Sequence, residues 1–292
     1  MFARDTDALV GDGNHHSRTP RRRPQRDRYA LYEASVQNVE VDLDLFERIF
    51  TSHAGRRLRS IREDFCGTAR LACAWVMRGP RNRATGIDLD PRPLAWARRH
   101  HFPSMRGAAA RVTLHRRDVR TVSRPRMDMI CAMNFSYWVF HERAELARYF
   151  RTARRSLKPG GVLCVDAFGG TEATEMLIER RRVRVSTTAD GQLLPAFTYE
   201  WEHAHFDPIS HRLRCHIHFR FRDGSMRRAF SYDWRMWTLP EIREAMAEAG
   251  FPRCEVYLED MDSKTGAGTG RYRRRRQYEN QLGWLAILVG VT

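Results

Sequence analysis

Polar and apolar positions along the chain change period three times, and each change marks a different kind of structure. Tyr29, Tyr32 and Val36, then Leu43, Leu45, Phe46 and Ile49, recur at helical spacing. They predict two short helices joined by a polar turn, the second capped by Asp42 or Asp44. From Ser60 short apolar runs alternate with longer amphipathic ones. SIRED, RATGIDLD, RVTLHRRDV, MDMICAMNF and VLCVDAF read as strands; TARLACAWVMRG, PRPLAWARRH and ERAELARYFRTARRSL read as helices, with Lys158-Pro159-Gly160-Gly161 as the turn into strand five. Strands separated by helices predict a largely parallel sheet covered on both faces. The period then falls to two in residues 197–206, 212–221 and 226–234, the last two joined by a hairpin turn at Asp223-Gly224. A capped helix follows, with Thr238 and Glu241 at capping-box spacing and Gly250 as its stop. CEVYLED and WLAILVGVT are the last strands, separated by a glycine- and arginine-rich loop, SKTGAGTGRYRRRRQ. The expected fold is a Rossmann-like seven-stranded αβα sandwich with an antiparallel β insertion between strands five and six. Residues 1–26 are expected to be a disordered basic arm. Residues 27–170 hold the lid helices and the cofactor half of the core, 171–237 an antiparallel flap, and 238–292 the rest of the core.

Composition narrows the class. Apolar residues are 42% and charged residues 29% of 292, as in globular proteins. The most apolar stretch, Trp284–Val291, is half of what a bilayer span needs, so no membrane is expected. Charges stand where a signal peptide keeps its apolar core, and the six cysteines form no CxxC pair. Both features suit a reducing cytoplasm better than secretion or a thiolate zinc site. The formal charge is +16, and Lys158 and Lys264 are the only lysines, so the excess is arginine. Such a bias across the whole chain reads first as a solvated surface and second as a nucleic-acid footprint. Oligomeric state is not legible.

An open parallel sheet binds its ligand beyond the carboxyl ends of the strands. There the chain places Glu63-Asp64-Phe65-Cys66-Gly67-Thr68 after strand one, Asp88-Leu89-Asp90 after strand two, Asp118-Val119 after strand three and Asn134-Phe135-Ser136-Tyr137 after strand four. Asp88 is placed to accept a ribose's hydroxyls and Asp118 the amine of an adenine; Asp90 reads as a helix cap. A GxGxxG dinucleotide fingerprint is lacking, and two acids precede the single Gly67. Acids there repel a pyrophosphate but suit a cofactor bearing an amine and a positive centre, which points to S-adenosylmethionine. Cys66 has no partnering histidine nearby in sequence, so covalent catalysis is not expected.

With these motifs the chain resembles the class I S-adenosylmethionine-dependent methyltransferases over about residues 29–292. REDFCGTARLA stands at the family's glycine-rich first motif, GIDLDP at the acidic second, RRDV at the third, CAMNFSYWVF at the fourth and LKPGGVLCVDAFGG after it. EDFCGT, NFSY, YDWRMW and ENQLGWLA together resemble a bacterial methyltransferase-like group. The first motif departs from the family's ExGxGxG, with Phe65 at the first glycine-like place. The resemblance implies that Glu63, Cys66 and Gly67 hold the methionine part, Asp88 the ribose, and Leu89 with Asp118 and Val119 the adenine. It implies too that Asn134, Phe135 and Ser136 border the methyl group, and that Tyr29 and Tyr32 form an aromatic lid.

On the acceptor side the flap should choose the substrate, a small molecule with an N or O acceptor. Trp201, His203 and His205 should share one strand face, and His203, His205 and Tyr137 are candidate bases, with Tyr232 as a catalytic-site wall. Histidines two apart on a strand splay by about 7 Å, so no metal site is expected. An RNA methyltransferase is the second reading, on Arg21–Arg28 and Arg271–Arg276; a non-catalytic cofactor-binding protein is the third.

Overall fold

The chain is described from a computed structural model covering residues 26–121, 124–188, 190–262 and 268–292. The expected basic arm lies outside the described residues except for Arg26. Asp27 caps the first helix, α1 (Arg28–Val36), by accepting the N–H groups of Tyr29 and Ala30. The second, α2 (Val39–Ala54), starts after Asn38, so Asp42 lies within its first turn and neither Asp42 nor Asp44 is its cap. Then come β1 (Ser60–Asp64), α3 (Arg70–Met77), β2 (Arg83–Asp88) and α4 (Pro91–His100), the last capped by Asp90 as expected. After β3 (Val112–Arg116) and β4 (Met127–Ala132), a short 3-10 turn at Ser136–Val139 leads to α5 (Arg143–Arg155) and β5 (Leu157–Gly169).

The insertion follows. It holds β6 (Ile178–Val183), the two-residue strands β7 (Ser186–Thr187) and β8 (Leu193–Leu194), and the long β9 (Phe197–Asp207), β10 (Arg212–Phe221) and β11 (Gly224–Arg235). Its sheet runs β11-β10-β9-β6, all antiparallel, one strand more than the period-two pattern predicts. Thr238 and Glu241 close the expected capping box on α6 (Leu239–Glu248). The chain ends with β12 (Arg253–Met261), β13 (Gly268–Arg275) and β14 (Trp284–Val291).

The main sheet has the order β13-β12-β14-β5-β4-β1-β2-β3. Five strands pair in parallel and β14, β12 and β13 add through antiparallel pairings, with β12 running in the direction of the five, so the seven expected strands are present. An eighth joins at the edge: the expected loop contains β13, whose backbone pairs with β12. Residues of α2, α3 and α4 fill one face of the sheet with Phe46, Phe50, Leu71 and Trp75, and residues of α5 and α6 the other with Tyr149, Phe150, Ile242 and Met246. Trp234 and Leu213 join the flap to that second face, while Leu31 of α1 packs with Phe197 and Phe219 of the flap in a third cluster. Strand order reverses between β1 and β4, and a crevice opens there beneath α1 and the flap.

Candidate active site

The loop after β1 is bent by residues in left-handed conformation. Gly67 (φ 51°) faces open space where a Cβ would project, as a cradle for a ligand requires. Phe65 also takes a positive φ of 55°, and its ring packs 5.9 Å from both Phe140 and Tyr149. That packing offsets the roughly 1–2 kcal/mol that a left-handed non-glycine costs, which accounts for the missing first glycine of the motif. Of the two acids before it, Asp64 is neutralised by a fully buried, two-pronged pair with Arg62 and a bond from the Tyr149 hydroxyl. Glu63 has no such cation. It accepts the Ala72 N–H in the first turn of α3, and burial pushes its carboxyl up to about 8. Asp88 accepts the N–H groups of Gly67 and Asp90, both at 2.8 Å, and thereby locks the two ligand-side loops together; burial raises its pKa as well.

These groups border a cavity of about 370 Å³, closed from above by α1 and β11. Tyr29, Tyr32, Glu63, Cys66, Gly67, Asp88, Asn134 and Ser136 line it. Tyr29 and Tyr32 lean on Phe230 of the flap, at 6.1 and 5.0 Å, so α1 ties flap to core. Gln37, which the sequence did not single out, also lines this cavity, and its buried Oε1 has no partner among the described residues. Three expected adenine-side residues lie outside the lining. Leu89 is exposed, Val119 is buried in the core, and Asp118 is occupied by a two-pronged pair with Arg120. The Cys66 thiol is buried against Gly86 and its pKa pushed well up, as suits an inert packing group.

A second cavity, about 950 Å³, extends between the flap, α2 and the ends of β5, β12 and β14. It shares Tyr32, Met133, Asn134 and Tyr232 with the first, and Phe135 lines it. Asn134 and Phe135 are held in consecutive left-handed conformations (φ 58° and 57°) by Asp166, whose carboxylate accepts their N–H groups at 2.6 and 2.8 Å. Burial pushes the Asp166 carboxyl up to about 7. Sequence reasoning missed this residue because an acid inside a strand reads as an outward-facing position. Tyr137, expected as a base, is buried outside both cavities and donates its hydroxyl to the Asp166 carbonyl, which makes it a core residue.

His203 lines the larger cavity, packed between Phe168 and Trp201, and its Nδ1 has no partner among the described residues. Burial lowers its pKa, so it is neutral at physiological pH. His205 is exposed and apart from it. The register shifts so that His203 faces Cys215 and His205 faces Arg214, leaving Ala204 as a bulge that turns the two histidines to different sides. His216 and His218 are engaged elsewhere, with Ser231 and Glu202. Tyr232 stacks on Trp234 at 4.4 Å and forms a hydrogen bond with Tyr32 at the junction of the cavities. Beyond Gly169, Gly170 (φ 123°) lets Leu282 and its neighbours close over the end of β5, where a Cβ would stand 2.3 Å from the Leu282 carbonyl oxygen. Asn280 accepts a bond from Trp284 and steadies that loop.

The strand order and the crevice at its reversal define the Rossmann-like fold of the class I S-adenosylmethionine-dependent methyltransferases. Residues 64–161 match the family described as a methyltransferase domain. Among solved structures, the chain is similar to Streptomyces venezuelae DesVI, at 19% identity and a TM-score of 0.63 over 89% of this chain and 94% of that one. It is similar to KedS8, a sugar N-methyltransferase from Streptoalloteichus sp. ATCC 53650, at 19% identity and a TM-score of 0.60, covering 100% and 98%. CalS10, an amino pentose methyltransferase from Micromonospora echinaspora, gives 18% and 0.60 over 90% and 95%. Against curated protein sequences nothing matches. No helix among the described residues is long and apolar enough to cross a membrane.

Proposed function

We propose that the protein transfers a methyl group from S-adenosylmethionine to a nitrogen or oxygen of a small molecule held in the larger cavity. One observation carries this reading: the two cavities meet at Tyr32, Met133, Asn134 and Tyr232, so ligands in each would stand end to end. The residues of the smaller cavity fit the cofactor. Glu63 and Asp88 are acceptors for an ammonium and a ribose, and the unpaired Gln37 Oε1 offers one more acceptor. When bound, the sulfonium supplies an already activated methyl group. The chain then has to orient the acceptor, exclude water and take a proton. Tyr232 and Trp234 form the wall that orients it, α1 and the flap cover the site, and the neutral His203 is the base. A protein that only bound the cofactor would need no second cavity.

The test is calorimetry with S-adenosylhomocysteine. Binding is expected, with Asp88→Ala weakening it by about 1–3 kcal/mol for the lost charged acceptor. Preference for NAD over S-adenosylmethionine and S-adenosylhomocysteine would refute the reading.

A further inference from the structure

The larger cavity departs in charge from the molecule around it. The chain carries a formal +16, yet among the described residues Asp42, Asp166, Glu172, Glu179 and Glu259 line the cavity against the single cation Arg181. Arg181 is itself engaged, its guanidinium donating to the Ser35 carbonyl beside the Tyr199 ring. Asp42 on α2 and Glu259 on β12 have no ion-pair partner among the described residues, and burial first, then the charge of Glu259, raises the Asp42 carboxyl to about 7. Glu259 accepts the Gly270 N–H, which fixes one of its oxygens. Tyr199, Trp201, Tyr232, Trp234, Tyr272 and Trp284 add ring faces to the same walls. Carboxylates among aromatic faces recognise organic cations by charge and by cation–π contact. The unpaired, buried Nδ1 of His203 is a second and independent sign of a ligand there. A metal ion is a poor fit, since no three ligating side chains converge among the described residues.

We infer that the acceptor is a small organic amine, captured as its ammonium form by Asp42, Asp166 and Glu259 against the Trp201–Tyr232–Trp234 wall. The inference rests on the methyl-transfer reading and narrows its acceptor to nitrogen. In the reaction the ammonium gives one proton to Nδ1 of His203. The freed lone pair forms the N–C bond as the C–S bond breaks with its electron pair staying on sulfur. The product leaves as a methylammonium carrying the positive charge.

Two matched series test it by calorimetry at pH 7.5, with and without saturating S-adenosylhomocysteine: tryptamine, indole-3-ethanol and indole-3-acetate, then glucosamine, glucose and glucuronate. In at least one series the amine should bind about tenfold or more tighter than the alcohol, a difference typical of a desolvated charged contact, and the carboxylate not at all. Asp42→Asn combined with Glu259→Gln should cut that preference to about threefold or less, with S-adenosylhomocysteine affinity kept within about twofold. Amines that bind no tighter than alcohols in both series, or a preference that survives the double substitution, overturn the inference. Absence of S-adenosylhomocysteine binding falls instead on the methyl-transfer reading, and the preference of the free protein then still decides the amine question.

Discussion

Glu63, Asp42 and Asp166 are buried or half-buried acids whose carboxyls stand at about 8, 7 and 7, pushed up chiefly by burial and further by neighbouring carboxylates. Each therefore binds its proton more tightly in the folded chain than in the unfolded one. The stability this gives is complete below the unfolded values near 4 and is lost as pH rises through 7 to 8. Thermal melts of the ligand-free protein should accordingly show a melting temperature several degrees lower at pH 8.5 than at pH 6. Asp42→Asn should flatten that slope and stabilise the protein at pH 8.5 by about 1–3 kcal/mol, and a melting temperature independent of pH across this window would contradict the assignment. Asp166 carries a further role, because its carboxylate ties the strained Asn134-Phe135 turn to β5 by accepting two backbone N–H groups. Asparagine there keeps an acceptor but loses the charge and the second bond. Asp166→Asn should lower methyl transfer by about tenfold or more while cofactor affinity changes by less than about threefold, the pattern of a displaced positioning turn.

Elements with one buried face were legible in the sequence, since burial writes a period into it. The parallel strands, the Asp90 cap and the Thr238–Glu241 capping box are examples. The misses share a cause. In β6 (IERRRV) every residue but Val183 is exposed, and β13 (GTGRYRRR) is an edge strand with little buried surface, so both are held by backbone pairing with β9 and β12 that leaves no hydrophobic signature. The bulge at Ala204 likewise adds a residue without changing composition, and it separates His203 from His205. In the site, Asp88 and Glu63 were readable from strand ends, whereas Asp42, Asp166 and Glu259 were not. An acid on a helix or inside a strand looks like solvated surface until the other elements fold over it. Glycine chemistry at an element boundary is the exception that sequence and structure both show. Gly170→Ala should push the Leu282 carbonyl away, destabilise the chain by about 2–4 kcal/mol and raise the acceptor's KM more than it lowers kcat, as titrations and melts of the variant would reveal.

Across the whole molecule charge is uneven: a chain of formal +16 gathers five carboxylates at the lining of its larger cavity. The arginine stretch at 271–276 is partly neutralised, since Arg273 and Arg275 pair with Asp260 and Arg274 with Glu255. Arg26 pairs with Asp223 and lies over Phe221. What remains is a diffuse positive surface, able to attract any polyanion by releasing its counterions but offering, among the described residues, no stacking platform to hold a base. The larger cavity works against such a ligand, because a phosphate brought to its lining meets Glu172, Glu179, Asp42 and Glu259. A single-stranded RNA oligonucleotide should thus bind weakly, indifferently to sequence, and with a log–log salt slope of about −2 to −4, as for three to six neutralised phosphates. Filter binding between 0.05 and about 0.3 M salt reads the slope, and incorporation of labelled methyl into the same RNA should stay at background. Tight binding of one sequence that persists at about 0.3 M salt, with label entering a single nucleotide, would move the acceptor from a small amine to RNA and make the arginine surface part of the enzyme's specificity.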